Sequence, residues 1–245
     1  MRLKCLPWTL GGGYRSLGLC VVIASVLLLS SCSTKEPTQL PVPVTAAPAQ
    51  KGKSALIIVD MQNDFCPGGA VAVNDADTII PLINQLQDKV DLVVATQDWH
   101  PANHSSFSSN GAAGVWPVHC VQDTPGAELV TRLNTERIAR VFQKGKNPEI
   151  DGYSGFYDKD HFTSTGMGEY LRAQGVTDVY IVGVATDDCV KHTALDAIHS
   201  QKLNTTLVRD ATRGREKEEG DVQEAIDMLI RAGVEVSESS EILSD

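Results

Sequence analysis

From residue 54 onward, short apolar runs alternate with stretches whose apolar residues recur every three or four positions. The runs are ALIIVD (55–60), LVVAT (92–96), IARVF (138–142), VYIVGV (179–184), LNTTLV (203–208) and VEV (234–236). Most lack the polar alternation of a half-exposed strand, which is the pattern of strands covered on both faces. Between them, 77–90 sets Ile79, Ile80, Leu82, Ile83, Leu86 and Val90 at helical spacing, and 187–199 and 221–232 read as further helices. Another helix is expected to start with Thr163 or Ser164 as its cap and to stop at Gly175, where a left-handed residue fits. Strands alternating with helices predict an α/β domain over 54–245. Its expected form is a Rossmann-like three-layer α/β/α arrangement around a mainly parallel sheet of about six strands. Only 97–135 breaks the rhythm, and a loop that long inside a compact domain is usually functional.

The first 53 residues follow another pattern. Residues 1–31 carry Arg2, Lys4 and Arg15 with no acid, and include the apolar run 17–29. That length suits the core of a signal peptide and falls short of the ~20 residues needed to cross a bilayer. The run leads into LSSC (29–32), which resembles the lipobox of bacterial lipoproteins. In that family the cysteine of the motif, here Cys32, takes the lipid and becomes the mature N-terminus. Ser33 after it, in place of Asp, resembles the outer-membrane sorting choice. Residues 33–53 hold four prolines and no aromatic, so they read as a tether. The expected organisation is a signal peptide (1–31), lipidated Cys32 with its tether (32–53) and a domain (54–245). Such a chain is anchored to the bacterial cell envelope, its domain facing the periplasm, without spanning the membrane.

Charge and cysteine content narrow the partners. Lys and Arg number 21 against 31 Asp and Glu, a net charge of −10, so the basic footprint of a nucleic-acid binder is missing. Six cysteines in 245 residues are too few for a disulfide-built scaffold.

In open α/β sheets, ligands bind beyond the carboxyl ends of the strands, so the residues that follow each run are the candidates. They are Asp60 after the first, Asp98, Trp99 and His100 after the second, Gln143 and Lys144 after the third, and ATDDC (185–189) after the fourth. Cys189 near a helix N-terminus would be favoured as a thiolate, further so beside Lys144, and Asp60 could accept its proton. Singly, each has an ordinary role as a small hydrophobe, a surface charge or a cap. Their common location is what points to nucleophilic chemistry. Asp98, His100, His104 and His119 form a second group, with His100 and His104 one helical turn apart. Three imidazoles and a carboxylate suit one divalent ion, zinc first, with Fe²⁺ or Mn²⁺ also compatible. His161, His192 and His199 show no such spacing and read as ordinary histidines.

At this point five segments, in order, match a known pattern. IIVDMQNDFCPGG (57–69), DWHPANHSSF (98–107), WPVHCV (116–121), FQKG with DGYSGF (142–145 and 151–156) and GVATDDCV (183–190) resemble the motifs of bacterial nicotinamidases. Those enzymes belong to the isochorismatase-like hydrolase superfamily, and the resemblance runs from about Ser54 to the C-terminus. It implies a Cys189–Asp60–Lys144 triad that hydrolyses nicotinamide to nicotinate and ammonia through a thioester. It further implies a cis peptide before Ala185 and an oxyanion hole from the N–H groups of Ala185 and Cys189. The metal would hold the pyridine nitrogen, with Phe65, Trp116, Tyr153, Val184 and Ala185 lining the substrate pocket.

The chain departs from that pattern in two places. Asp188, next to the nucleophile, is commonly aromatic or His in the family; an acid there adds negative charge, which would raise the thiol pKa or alter substrate preference. The lipobox and tether are the second departure, because nicotinamidases are mostly cytosolic. Cys66 and Cys120 are read as two reduced thiols, although an oxidising compartment would permit a disulfide. Two other functions stay open: an amidase acting on a carbamoyl or ureido substrate, and a silent ligand-binding surface lipoprotein. The sequence leaves the oligomeric state open.

Overall fold

The computed structural model describes residues 52–110 and 114–244; the signal peptide, Cys32 and nearly all of the tether lie outside the described residues. Six strands form one sheet: β1 (Lys53–Val59), β2 (Leu92–Asp98), β3 (Ile138–Lys144), β4 (Val176–Val184), β5 (Asn204–Arg213) and β6 (Glu235–Ser237). The order across the sheet is β3-β2-β1-β4-β5-β6 and every pairing is parallel. Helices α1 (Ile80–Leu86), α2 (Met167–Ala173), α3 (Lys191–His199), α4 (Asp221–Ala232) and α5 (Ser239–Ser244) flank it. The expected three-layer α/β/α arrangement is thus present, with the sheet wholly parallel.

Strand parity divides the core. Leu56 and Ile58 of β1 pack with Ile80, Ile83 and Leu86 of α1, and with Ile242 and Leu243 of α5. Ala55, Ile57 and Val59 point the other way, toward Met167 and Leu171 of α2, Ala194 and Ala197 of α3, and Ile226 and Leu229 of α4. Both faces of β1 are therefore covered, which is why its sequence is apolar without alternation. Each fully buried Leu or Ile contributes about 1.5–3 kcal/mol. β1 pairs with β2 on one side and β4 on the other, so the direction of winding reverses there. Ligand crevices form at such a switch point.

Several element boundaries differ from expectation. The apolar stripe over 77–90 is buried as predicted, but it folds as a 3₁₀ turn (Ala76–Ile79), α1 and a second 3₁₀ turn (Gln87–Lys89). A regular helix through this start would drive the ring of Pro81 against the carbonyl of Asp77; Pro81 instead sits in the first turn of α1, where no N–H is needed. α2 begins at Met167, capped by Gly166 at φ 88° rather than by Thr163 or Ser164. The Ser164 and Thr165 hydroxyls accept the N–H groups of Gly166 and Met167, which shapes the turn before the helix. Gly175 ends that segment with φ 77°, as expected. The helix expected over 187–199 starts as a wide π turn (Thr186–Val190), in which Asp188 adopts φ −135°, ψ −107°. The N–H groups of Asp188 and Val190 both bond to the carbonyl of Ala185, closing the turn on one acceptor. α5 was not foreseen; only Ile242 and Leu243 mark its buried side. Among the described residues no helix is long and apolar enough to cross a membrane.

Candidate active site

Asp98 and Lys144 are the last residues of β2 and β3, not the first residues beyond them, and the parallel register sets them directly opposite each other. The buried Lys144 ammonium contacts the Asp98 carboxylate, lies 2.8 Å from Asp60 Oδ2, and donates to the carbonyl of Gly152 at 3.1 Å. It also donates to Cys189 Sγ at 3.4 Å. Asp60 follows β1 at φ 49°; the Thr96 hydroxyl donates to its Oδ1 at 2.6 Å. A carboxylate oxygen of Asp60, one of Asp98 and the Cys189 sulfur all lie within 4.8 Å of one another. One ammonium thus joins the acid, the thiol and the aspartate of the histidine cluster. The sequence suggested the first two contacts and missed the third.

Burial raises the Asp60 pKa, and the opposing pull of Lys144 does not cancel it. The two carboxylates raise Lys144 despite its burial, so the amine stays charged. Burial, with Asp60, Asp98 and Asp188 adding to it, holds the Cys189 thiol well above its ordinary value, although Lys144 pulls the other way. Burial thus works against the expected thiolate. Cys189 does lie near a helix N-terminus, as expected, directly before Val190, the N-cap of α3.

The histidines are held from behind. His100 Nδ1 lies 2.9 Å from the carbonyl of Gly145, and His119 Nδ1 lies 2.8 Å from that of Pro117. A carbonyl only accepts, so each Nδ1 carries the proton and each Nε2 keeps its lone pair for a metal. Gly145 has φ 65°, and a Cβ there would fall 2.3 Å from His100 Cε1, so this support requires glycine. His104 Nδ1 lies 2.7 Å from Ser106 Oγ, while its buried Nε2 has no hydrogen-bond partner. Ligand atoms of Asp98, His100 and His119 lie within 4.8 Å of one another; His104 forms a second such set with His100 and Asp151. His100 and His104 come together through a turn, not a helix, with ring centroids 4.2 Å apart. An unpartnered buried Nε2 among preset imidazoles and carboxylates fits a divalent cation.

A cleft of about 430 Å³ opens beside Cys189. Phe65, Trp116, Tyr153, Val184 and Ala185 line it as expected, with Asp98, His100 and His119 at one end. The Trp116 indole N–H donates to Tyr153 Oη at 3.2 Å. The Val184–Ala185 peptide is cis, as the family pattern implied. Asp151, Asp188 and Arg215 also line the cleft.

Several supporting residues were not singled out from the sequence. Gln62 reads both backbone polar groups of Asp98, donating to its carbonyl at 2.9 Å and accepting its N–H at 2.8 Å. Asp64 accepts the N–H of Cys120 at 2.7 Å, tying the first segment to the His119 loop. Both belong to the quoted 57–69 segment, so a signal existed for them. Thr96 and Arg215 carried none. Cys66 and Cys120 are buried free thiols, in line with the reduced reading. His161, His192 and His199 stand apart from the histidine cluster; His192 stacks on Tyr153 at 5.4 Å, on the outer side of the site.

The isochorismatase domain profile matches residues 54–241. A nicotinamidase of Acinetobacter baylyi is 43% identical over 208 residues, covering 79% of this chain and 96% of that one. The Acinetobacter baumanii nicotinamidase/pyrazinamidase structure superposes with a TM-score of 0.75 at 42% identity, over 79% of this chain and 99% of that one. The Pyrococcus horikoshii pyrazinamidase, solved in complex with zinc, gives a TM-score of 0.67 at 43% identity, over 76% and 99% of the two chains. The yeast nicotinamidase bound to the inhibitor nicotinaldehyde gives 0.71 at 31% identity, again over 76% and 99%. Fold, site and sequence agree: the chain belongs to the isochorismatase family.

Proposed function

We propose that the protein hydrolyses nicotinamide to nicotinate and ammonia, with Cys189 as nucleophile, Asp60 as general base and acid, and Lys144 as their charge partner. The observation that carries this reading is the Lys144 ammonium touching thiol and carboxylates at the end of an aromatic-walled cleft. Asp60 takes the thiol proton as sulfur attacks the carboxamide carbon, so a buried thiolate need not accumulate. The S–C bond forms, and the oxygen that gains charge is met by the N–H groups of Ala185 and Cys189. Collapse breaks the C–N bond, the proton passes from Asp60 to nitrogen, and ammonia leaves a thioester on Cys189. Asp60 then deprotonates a water that adds to the thioester; the C–S bond breaks, and the thiol regains its proton. Asp98, His100, His104 and His119 would hold a divalent ion, zinc first, which when bound supplies a Lewis-acidic contact for the ring nitrogen. Phe65, Trp116 and Tyr153 flank the ring and exclude water. Zinc in the Pyrococcus relative and nicotinaldehyde in the yeast one support this reading.

The test is ammonia release from nicotinamide by the wild type and by Cys189→Ala, with ureido compounds run in parallel. Loss of release in the variant is expected; faster turnover of ureido compounds than of nicotinamide would move the assignment to another amidase. Anchoring in the outer membrane through lipidated Cys32, with the domain in the periplasm, rests on the LSSC motif and the tether. Labelled palmitate should be incorporated by the wild type and not by Cys32→Ser; a wild type that takes up no label would contradict the anchor.

A further inference from the structure

One cation in the cleft has no assigned work. Arg215 lines the cleft together with Trp116, Asp188 and Cys189. Its guanidinium carbon lies 4.3 Å from the centre of the Trp116 ring. Its Nε is buried without a hydrogen-bond partner, and among the described residues the guanidinium forms no ion pair. A buried donor left open is costly unless a ligand completes it.

The loop that delivers Arg215 is built for the purpose. Asp187, two residues before the nucleophile, accepts the N–H of Arg215 at 2.9 Å on one oxygen and that of Glu216 at 3.0 Å on the other. Glu216 in turn accepts the N–H groups of Gly220 at 2.7 Å and Val222 at 2.9 Å, folding the loop onto the start of α4. Arg215 is thereby pinned to the turn that carries Cys189. Lys217 from the same loop sits 4.0 Å from the Trp116 ring centre, so this rim carries two cations, with Lys191 near Asp188. The facing acids are Asp188 and Asp151; Asp188 feels the charge of Arg215, Lys217 and Lys191 without a close ion pair to Arg215.

We propose that Arg215 is a specificity-determining residue that recognises a carboxylate borne by an aromatic ring held in the cleft. The favoured source is a second, anionic ring substituent on a carboxamide substrate; the other source of the same chemistry is the carboxylate of the product. A guanidinium presents a planar fork that matches a carboxylate in two parallel hydrogen bonds, and the cation–π contact with Trp116 holds it at the cleft. The proposal rests on the amidase reading above and adds to it the class of substrate.

Two arms test it on the metal-loaded enzyme. In the first, kcat/KM is measured for nicotinamide and for the monoamide of pyridine-3,5-dicarboxylic acid. Arg215→Gln should lower the ratio of monoamide to nicotinamide by about tenfold or more, mainly through KM, and Arg215→Lys should restore part of it. In the second, calorimetry follows nicotinate binding to the Cys189→Ala protein with and without Arg215→Gln. A loss confined to nicotinate binding also supports carboxylate recognition and assigns it to the product. An unchanged ratio together with unchanged nicotinate affinity overturns the proposal. So do equal losses for neutral and anionic ligands, which is what mere support of Trp116 would give. If the wild type fails to hydrolyse nicotinamide, the amidase reading falls, while the calorimetric arm still decides the role of Arg215.

Discussion

Burial lifts the pKa of Asp60 while Lys144 restrains it, so the carboxylate proposed to receive the thiol proton is a stronger base than an exposed aspartate. Only its ionised form can accept that proton. Activity must therefore fall as pH drops through the raised value, which puts the acid limb of kcat/KM above the usual carboxylate range. Asp60→Asn should cost about 10²–10⁴-fold and remove that limb from the residual rate. A pH profile of both proteins checks this, and an acid limb unchanged in Asp60→Asn would assign it elsewhere. Residues such as Asp60 and Cys189 were legible in the sequence because an apolar run ends abruptly at each strand, and the first polar groups beyond it share one rim. Thr96 and Arg215 were not, because their roles depend on which strands are neighbours and on how a distant loop folds back. The pull of burial against a Cys189 thiolate was hidden for a related reason: local sequence shows a nearby helix start but not how much water is removed from the sulfur.

At the scale of elements, the join between β4 and the turn that carries Cys189 is closely packed. Gly183 has φ 109°, and its register partner is Val59 of β1. A Cβ at 183 would fall 2.1 Å from the Val59 carbonyl oxygen, a rigid backbone atom. Gly183→Ala combines that clash with a disfavoured backbone region and should destabilise the domain by about 2–4 kcal/mol, read as a lower midpoint in thermal or urea unfolding. Gly166 and Gly220 make the useful contrast, because a Cβ at either meets nothing within 4 Å. The central strands were legible because burial on both faces leaves a continuous apolar run, whereas helix starts were less so. Pro81 broke one expected helix start, and the hydroxyls of Ser164 and Thr165 spend their bonds on the turn before α2 rather than capping it.

Across the whole molecule, the proposed metal ligands come from the end of β2 and from two further points along the following loop, so binding an ion there draws on the folded arrangement. Anything that binds only the folded state stabilises it. Chelation should lower the midpoint of thermal unfolding, and re-addition of zinc should restore it. His104→Ala should carry less metal and show a smaller chelation effect. Full metal content in that variant, with the same response to chelator, would remove His104 from the ligand set.

The shared Lys144 ammonium has one more consequence. In the proposed reaction Asp60 serves bond breaking and Asp98 the ion that holds the ring, yet both carboxylates share one ammonium. Substituting either one releases the cation toward the other, so losses at the two positions will not sum as independent effects do. If the proposed roles hold, affinity and turnover are stitched along a single seam, so that a change improving one moves the other.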